Sequence, residues 1–313
     1  MIATAVRHRR TKPRRTRPRR LARRRIETQF RTLVSPHQLN TRRGRTIYWI
    51  VLVGMVVAFT AIFMFPLYWM VTGALKAPEE LDQIPPTLVP QDPSFDAYIE
   101  AWNLLDLGLL LKNTAIYAVG AWLFTLAVDV SAAFALSKLR PMFGKLITGM
   151  MLATLMIPPM VLMLPLFVTI VDLDLLNSPW AIWLPAAANG FNIFLLKRFF
   201  DSIPRELIEA AEMDGASPAR ILWSIVLPVS RPILGVVSIF TVVAVWKDFL
   251  YPLLVLPDTD SMTVSVAINS LSQTMPTNAL TAALVIASIP TIVIFLFFQR
   301  HIMAGLTAGS LKG

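Results

Sequence analysis

The chain has 313 residues, 55% of them hydrophobic and 15% charged, with a mean hydropathy of +0.61. A soluble domain carries roughly 25% charged residues, so composition excludes an ordinary water-soluble enzyme and points to a membrane protein. There is no cysteine, which excludes disulfides and thiolate chemistry, and His8, His37 and His301 are too scattered for a histidine-based catalytic or metal site.

The net charge of +10 belongs to one end. Residues 1–46 hold 16 Lys/Arg against one acid, Glu27, while the rest of the chain holds 13 basic and 18 acidic side chains. The Arg-rich run, interrupted by Pro13 and Pro18, cannot build a core and is expected to be mostly disordered. It reads as a positive-inside anchor, as a segment drawn to anionic membrane lipids at about 1 kcal/mol per basic residue, or as a nucleic-acid arm. The last is disfavoured because no aromatic residue precedes Phe30, and no nucleic-acid partner is expected. Leu21, Ile26, Phe30 and Leu33 share one helical face, compatible with a short interfacial helix.

Six stretches reach about the 20 apolar residues that cross a hydrocarbon core: 47–70, 113–136, 146–171, 179–196, 232–254 and 279–298. A backbone without water must satisfy its own polar groups, so these are helices, and the alternation of barrel strands is absent. The expected fold is all-α, a polytopic membrane protein with six transmembrane helices. With the N-terminus in the cytoplasm, segments 1–46, 137–145, 197–231 and 299–313 carry 26 of the 29 Lys/Arg. The outward segments then carry only Lys76 and Lys112, beside eleven acids. The positive-inside rule therefore puts both termini in the cytoplasm. The first apolar run ends in Phe65-Pro66-Leu67-Tyr68-Trp69, an interfacial aromatic belt rather than a signal-peptide cleavage site. The chain divides into a basic tail (1–46), a first helix with its outer loop (47–112), a five-helix core (113–303) and a cytoplasmic tail (304–313).

The longest inward loop, 201–228, is more ordered in its signals than a connector requires. Pro204 suits a first helical turn, and Glu206 to Met213 are mostly good helix formers. Gly215 suits the position after a helix end. Ser217 then reads as an N-cap with Pro218 at the first helical position, and Pro228 closes the second short helix. The loop is either a docking element for a cytoplasmic protein or an interfacial helix packed on its own bundle.

The string Glu209-Ala210-Ala211-x-x-Asp214-Gly215-Ala216, continuing to Ile221, Ile225, Leu227 and Pro228, resembles the EAA loop of ABC-importer permeases. Leu75-Lys76-x-Pro78-Glu79-Glu80 after the first helix resembles the carbohydrate-uptake branch, as does Trp246-x-x-Phe249-x-x-Pro252-Leu253 in the fifth. The C-terminus, from Gly305 to Gly313, looks like that of the MalG type of maltose-like transporters. The position of the branch's usual Asn is Lys247, a departure that bears on substrate preference. The resemblance implies the type I importer permease fold and a bacterial inner-membrane location. It implies a MalF-like second permease as heterodimer partner, two copies of a cytoplasmic ATPase that bind ATP and Mg, and an extracytoplasmic sugar-binding protein. Glu209, Ala210 and Ala211 would face the ATPase, Asp214, Gly215 and Ala216 would form the turn beside it, and Pro228 would end the motif at the membrane. No cofactor is expected in this chain itself.

Ionisable residues inside spans are costly and are functional candidates; here they are Asp129, Lys247 and Asp248. Either Lys247 or Asp248 pairs with Asp129 or a partner subunit, fixing helix packing or lining the pathway, or Lys247 snorkels. Pro158, Pro159 and Pro165 are expected to bend the third span. Asn189 and Asn192 offer hydrogen bonds to a sugar, and Trp246 and Tyr251 offer stacking faces; interhelical packing is the competing role for all four. No Walker A loop, zinc signature or nucleophile elbow is present, so the chain is not expected to hydrolyse ATP. The alternative is a self-contained secondary transporter or channel for a small polar solute.

Overall fold

The structure, a computed structural model, describes residues 41–310, with side chains as far as Gln299. Expectations for the tail before residue 41 and for the last residues lie outside this range. All regular structure among the described residues is helical. In chain order the helices are α1 (Arg42–Gly73), α2 (Pro78–Leu81), α3 (Asp96–Leu104), α4 (Leu107–Phe134), α5 (Gly144–Thr154) and α6 (Pro159–Asp172). They continue with α7 (Trp180–Ala186), α8 (Gly190–Asp201), α9 (Arg205–Met213), α10 (Pro218–Ile221), α11 (Leu227–Val229) and α12 (Arg231–Lys247). The last are α13 (Leu250–Val255), α14 (Val264–Leu271) and α15 (Thr277–Ser310). Single π turns, Ala135–Leu139 and Leu222–Val226, extend α4 and join α10 to α11.

Three helices, α1, α4 with its π turn, and α15, are long and apolar enough to cross a membrane. Two bent pairs reach the same length and composition: α5 with α6, at 101°, and the α10–α11 segment with α12, at 84°. The expected spans 146–171, 179–196 and 232–254 are each broken inside their bounds. In the first, Pro158-Pro159 denies Ile157 and Pro158 the helical region, and Pro159 restarts the helix at its first position. Pro165 lies inside α6 without interrupting it. In the second, the break at 187–189 follows Pro185 and is closed by Asn189 as an N-cap. In the third, Asp248 leaves the helix (ψ 136°) and α13 begins after Phe249.

Among the described residues, those up to Ile62 and those from Phe63 onward form separate compact units. In the first, the described residues present apolar side chains all around the helix, Ile50, Val57, Phe59 and Ile62 among them, as a lipid-facing helix does. In the second, α4 is the hub and packs against α7, α8, α12 and α14. Ala118, Ala121 and Ala133 are buried along it, and such small residues let membrane helices approach closely. Gly120 is required for that approach: a Cβ there would fall inside the Trp183 indole. Trp183 in turn stacks on Phe124, ring centroids 5.8 Å apart.

The end of the bundle where α4 meets the end of α8 is tied by charge. Ser137 Oγ donates to Asp201 Oδ1 (2.7 Å) and Lys197 Nζ donates to Oδ2 (2.7 Å). Lys138 Nζ reaches the Ile203 carbonyl at 3.1 Å. Partial burial raises the Asp201 carboxyl, but the hydrogen bonds from Lys197 and Ser137 and the charges of Lys197 and Lys138 outweigh it and hold the group below the usual carboxylate range.

Gly120→Val should lower stability by about 1–3 kcal/mol through overpacking against Trp183, with partial recovery in the Gly120→Val/Trp183→Leu double variant; thermal unfolding in detergent measures both. Because the Asp201 pKa is depressed on folding, its contribution is complete above the ordinary carboxylate pKa of about 4 and fades as pH falls through the lower folded value. Melting temperatures of the Asp201→Asn variant and the parent should therefore converge at acid pH and differ most at neutral pH.

Candidate translocation cavity and coupling loop

Where α7 ends and α8 begins, the chain crosses the flank of α4. Asn189 adopts extended backbone (φ −116°, ψ 112°), and its Oδ1 accepts from the Asn192 N–H at 3.1 Å. Its own N–H donates to Asp129 Oδ1 at 2.9 Å. One turn before Asp129, Thr125 Oγ1 donates to the Ala186 carbonyl at 2.7 Å. The two α4 side chains thus satisfy backbone groups on both sides of the break, which a bare apolar helix would leave unpaired. Asp129 is wholly buried, and its Oδ2 has no hydrogen-bond partner among the described residues. Gly190 opens α8 where a Cβ would press to 3.3 Å of the Met151 carbonyl.

Beside this break lies a cavity of about 370 Å³, lined by Thr125, Asn189, Phe191, Asn192, Phe240 and Thr241 among others. Asn192 Nδ2 and Thr241 Oγ1 are 3.5 Å apart across it. Thr125 and Thr241 are absent from the sequence-based selection. A threonine in an apolar helix carries no distinctive signal, because it can bond its own helix; only the one-turn spacing of Thr125 and Asp129 hinted at a shared face.

The other pathway candidates go elsewhere. Trp246 is buried and its Nε1 donates to the Ala287 carbonyl at 3.2 Å, so it packs α12 onto α15. Tyr251 donates its hydroxyl to the Ala181 carbonyl at 2.9 Å. Asp248 lies at the broken end of α12 with its carboxyl against the N–H groups of Phe249, Tyr251 and Leu250, the first turn of α13. Lys247 is exposed. Neither residue pairs with Asp129, which removes that one of the expected arrangements: the Asn189 N–H already occupies the carboxylate, and Lys247 ends α12 on its exposed side.

The 201–228 loop forms a helix, a glycine turn and a second helix, as expected. Pro204 is the N-cap of α9 rather than its first residue, and Glu206 follows in the first turn. Gly215 has φ +77°, the left-handed value that favours glycine. Ser217 caps α10 by accepting from the Arg220 N–H at 3.3 Å, with Pro218 at the first position. Pro228 does not close the second helix. It sits inside α11, and the π turn before it lets the Leu227 N–H reach back five residues to Leu222, making room for the ring and the missing donor. The chain turns at Ser230.

The faces of α9 differ. Ile208 is buried and Ala211 is half-buried in a cluster with Phe200, Ile203, Ile221 and Val226. Ala211 therefore faces the bundle, against the expectation that it faces outward with Glu209 and Ala210. Ala216 packs on the same cluster. Glu209, Ala210, Asp214 and Gly215 are exposed, as are Leu207 and Met213, the latter 88% accessible. Glu209 pairs with Arg205 at 2.8 Å on the open surface.

Residues 130–307 match the family described as the binding-protein-dependent transport system inner membrane component. The chain is 31% identical to the sn-glycerol-3-phosphate transport system permease protein of Yersinia pestis bv. Antiqua over 278 residues, 86% of this chain and 98% of that one. It is 32% identical to the melibiose/raffinose/stachyose import permease of Bacillus subtilis, over 79% and 91% of the two chains. It is also 32% identical to the sulfoquinovosyl glycerol transport permease of Agrobacterium fabrum, over 80% and 89%. The fold matches a chain of a bacterial ABC transporter involved in alginate import, with TM-score 0.73 at 24% identity, over 83% of this chain and 98% of that one. A permease of this kind works with a partner permease, a separate ATPase and a substrate-binding protein, so the self-contained transporter reading falls. The chain belongs to the family of binding-protein-dependent transport system inner membrane components and is a permease subunit of an ABC importer.

Proposed function

We propose that the chain forms half of the pathway for a sugar, oligosaccharide or related polyol. It pairs with a MalF-like permease above two ATPase copies and receives its solute from an extracytoplasmic sugar-binding protein. Six membrane crossings with both termini inside are the arrangement that the Lys/Arg distribution supports, with the broken segments counted as crossings. The substrate class rests on the relatives, whose names specify polyhydroxylated solutes. The cavity beside Asn189, with its amide and hydroxyl groups, is compatible with that chemistry.

The observation that carries the coupling role is the two-sided construction of α9. Its inner face is fixed to the bundle by Ile208 and Ala211, while Leu207, Ala210 and Met213 stand exposed in an i, i+3, i+6 row beside Glu209. An exposed apolar row on an anchored helix suits a groove-binding partner. ATP-driven closure of the ATPases would then move α9 together with the bundle behind it and alternate access to the cavity. On the outer side, the loop bearing Asp258 and Asp260 is held in one shape. Asn177 Oδ1 accepts from the Asp258 N–H (2.9 Å), and Tyr117 donates to the Ser261 carbonyl (2.7 Å). A fixed acidic edge there suits capture of the binding protein.

In nanodiscs holding the chain with its partner permease, ATPase and binding protein, Glu209→Lys should reduce sugar-stimulated ATP hydrolysis at least about tenfold while assembly persists; stimulated turnover equal to the parent's would remove α9 from the coupling interface. At the cavity, Asp129→Ala should cost about 1–3 kcal/mol by leaving the Asn189 N–H, now in a part-buried hydrogen bond, without its acceptor. Asp129→Asn keeps an acceptor and should cost less, a ranking that thermal unfolding of the purified assembly would check.

A further inference from the structure

We infer that the groove between the 137–145 turn, α5 and the end of α8 is a binding site for an anionic phospholipid. Its volume is about 860 Å³, more than twice that of the cavity at Asn189, and it contains none of the α9 or Asn189 site residues. The floor and walls are apolar, with Leu136, Met142 and Leu152 among them, and Gly149 leaves open space where a side chain would project. Three cations line it: Arg140, Lys145 and Lys197. Lys197 is neutralised by Asp201 at 2.7 Å. Arg140 and Lys145 have no carboxylate within ion-pair distance among the described residues.

The backbone fixes this exposure. The N–H of Arg140 closes the π turn onto the Ala135 carbonyl at 3.0 Å, and the residue takes φ +49°. Its Nε donates to the Ser137 carbonyl at 3.3 Å, while its terminal nitrogens make no hydrogen bond among the described residues. Around the rim Leu139, Met142, Phe143, Leu146 and Met150 are exposed, and α5 buries no residue at all.

The position selects the occupant. The groove opens where the apolar stretch of α4 ends, at Leu139, and where the bent α5–α6 pair begins, so it lies at headgroup level. Two uncompensated cations above an apolar trough fit a phosphodiester with acyl chains below it. Basic pockets between membrane helices bind such headgroups. A soluble anion would use the cations but not the trough, and a zwitterionic lipid would use the trough but leave the cations without net counter-charge.

The test uses the full chain assembled with its partner permease and ATPase, purified in dodecyl maltoside and titrated with dioleoyl phosphatidylglycerol, dioleoyl phosphatidylcholine or inorganic phosphate, with retained lipid counted by native mass spectrometry. The parent should retain phosphatidylglycerol about tenfold more tightly than phosphatidylcholine. The Arg140→Gln/Lys145→Gln double variant should lose that preference. Gly149→Leu, which fills the trough but keeps both cations, should also weaken phosphatidylglycerol retention, while Arg205→Gln on α9 should leave it unchanged. Lipid-free melting temperatures equal to the parent's would establish that the variants fold, and the surface charge variant decides alone if Gly149→Leu does not assemble. No headgroup preference in the parent, a preference surviving in the charge variant, or equal competition by inorganic phosphate would overturn the assignment. So would a preference seen in the isolated chain and lost in the assembly, which would make the groove a protein interface.

Discussion

The hydrogen bond from the Asn189 backbone to the Asp129 carboxylate allows the bundle to be built from interrupted helices. A membrane interior gives an unpaired N–H or carbonyl nowhere to go, so every break needs a repair from a neighbouring element. Asp129 and Thr125 supply it from α4 for the groups at Asn189 and Ala186. With those groups held, α8 can start anew after α7 and carry Phe200 and Asp201 to the C-terminal end of α4, where Asp201 meets Ser137. Burying a carboxylate is expensive, and its position beneath the N-terminus of α8 offsets part of that cost through the helix dipole and the N–H it accepts.

The other irregularities follow the same rule with different devices. Pro228 is accommodated by widening the turn before it, and Asp248 lies against the exposed amides that begin α13. Lys76, buried at the exit of α1, gives its ammonium to the Thr87 carbonyl and sits over the Trp69 ring. Glu80, also buried, accepts from the Thr87 hydroxyl and the Gln91 N–H. The Leu75–Glu80 string therefore shapes the loop after α1 through its own polar contacts.

Local signals were legible in the sequence; partners across the bundle were not. Gly215, Ser217 and Pro218 each dictate their own backbone, and the helix–turn–helix of the 201–228 loop appears where those residues require it. Apolar length correctly marked α1, α4 and α15. It overlooked that a mostly apolar stretch such as 179–196 can still be two helices: Asn189 caps α8 through the Asn192 N–H, and its own N–H is taken up by Asp129 from another helix. The orientation of Ala211 was equally hidden: small residues permit close approach on either side, and the cluster around Phe200 claims this one. Trp246 and Tyr251 offered stacking faces to a sugar, but the partners that hold their polar atoms were not visible along the chain. Those partners, the carbonyls of Ala287 and Ala181, lie 41 and 70 residues away.

The anchoring of α9 has a mechanical consequence. Ile208 and Ala211 pack into the same cluster as Val130 and Phe134 of α4, Leu196 and Phe200 of α8, and Ile233 and Val237 of α12. Packed cores resist small deformations and shift between discrete arrangements, so a displacement of α9 would be borne by those three helices together. They are also the helices that contribute Asn192, Thr241 and the Asp129 repair around the cavity. On the proposed coupling role, no flexible linker separates the face presented to the ATPase from the walls of the cavity. A substitution inside this cluster, such as Ile208→Ala, would weaken transmission even though it touches neither the ATPase nor the solute.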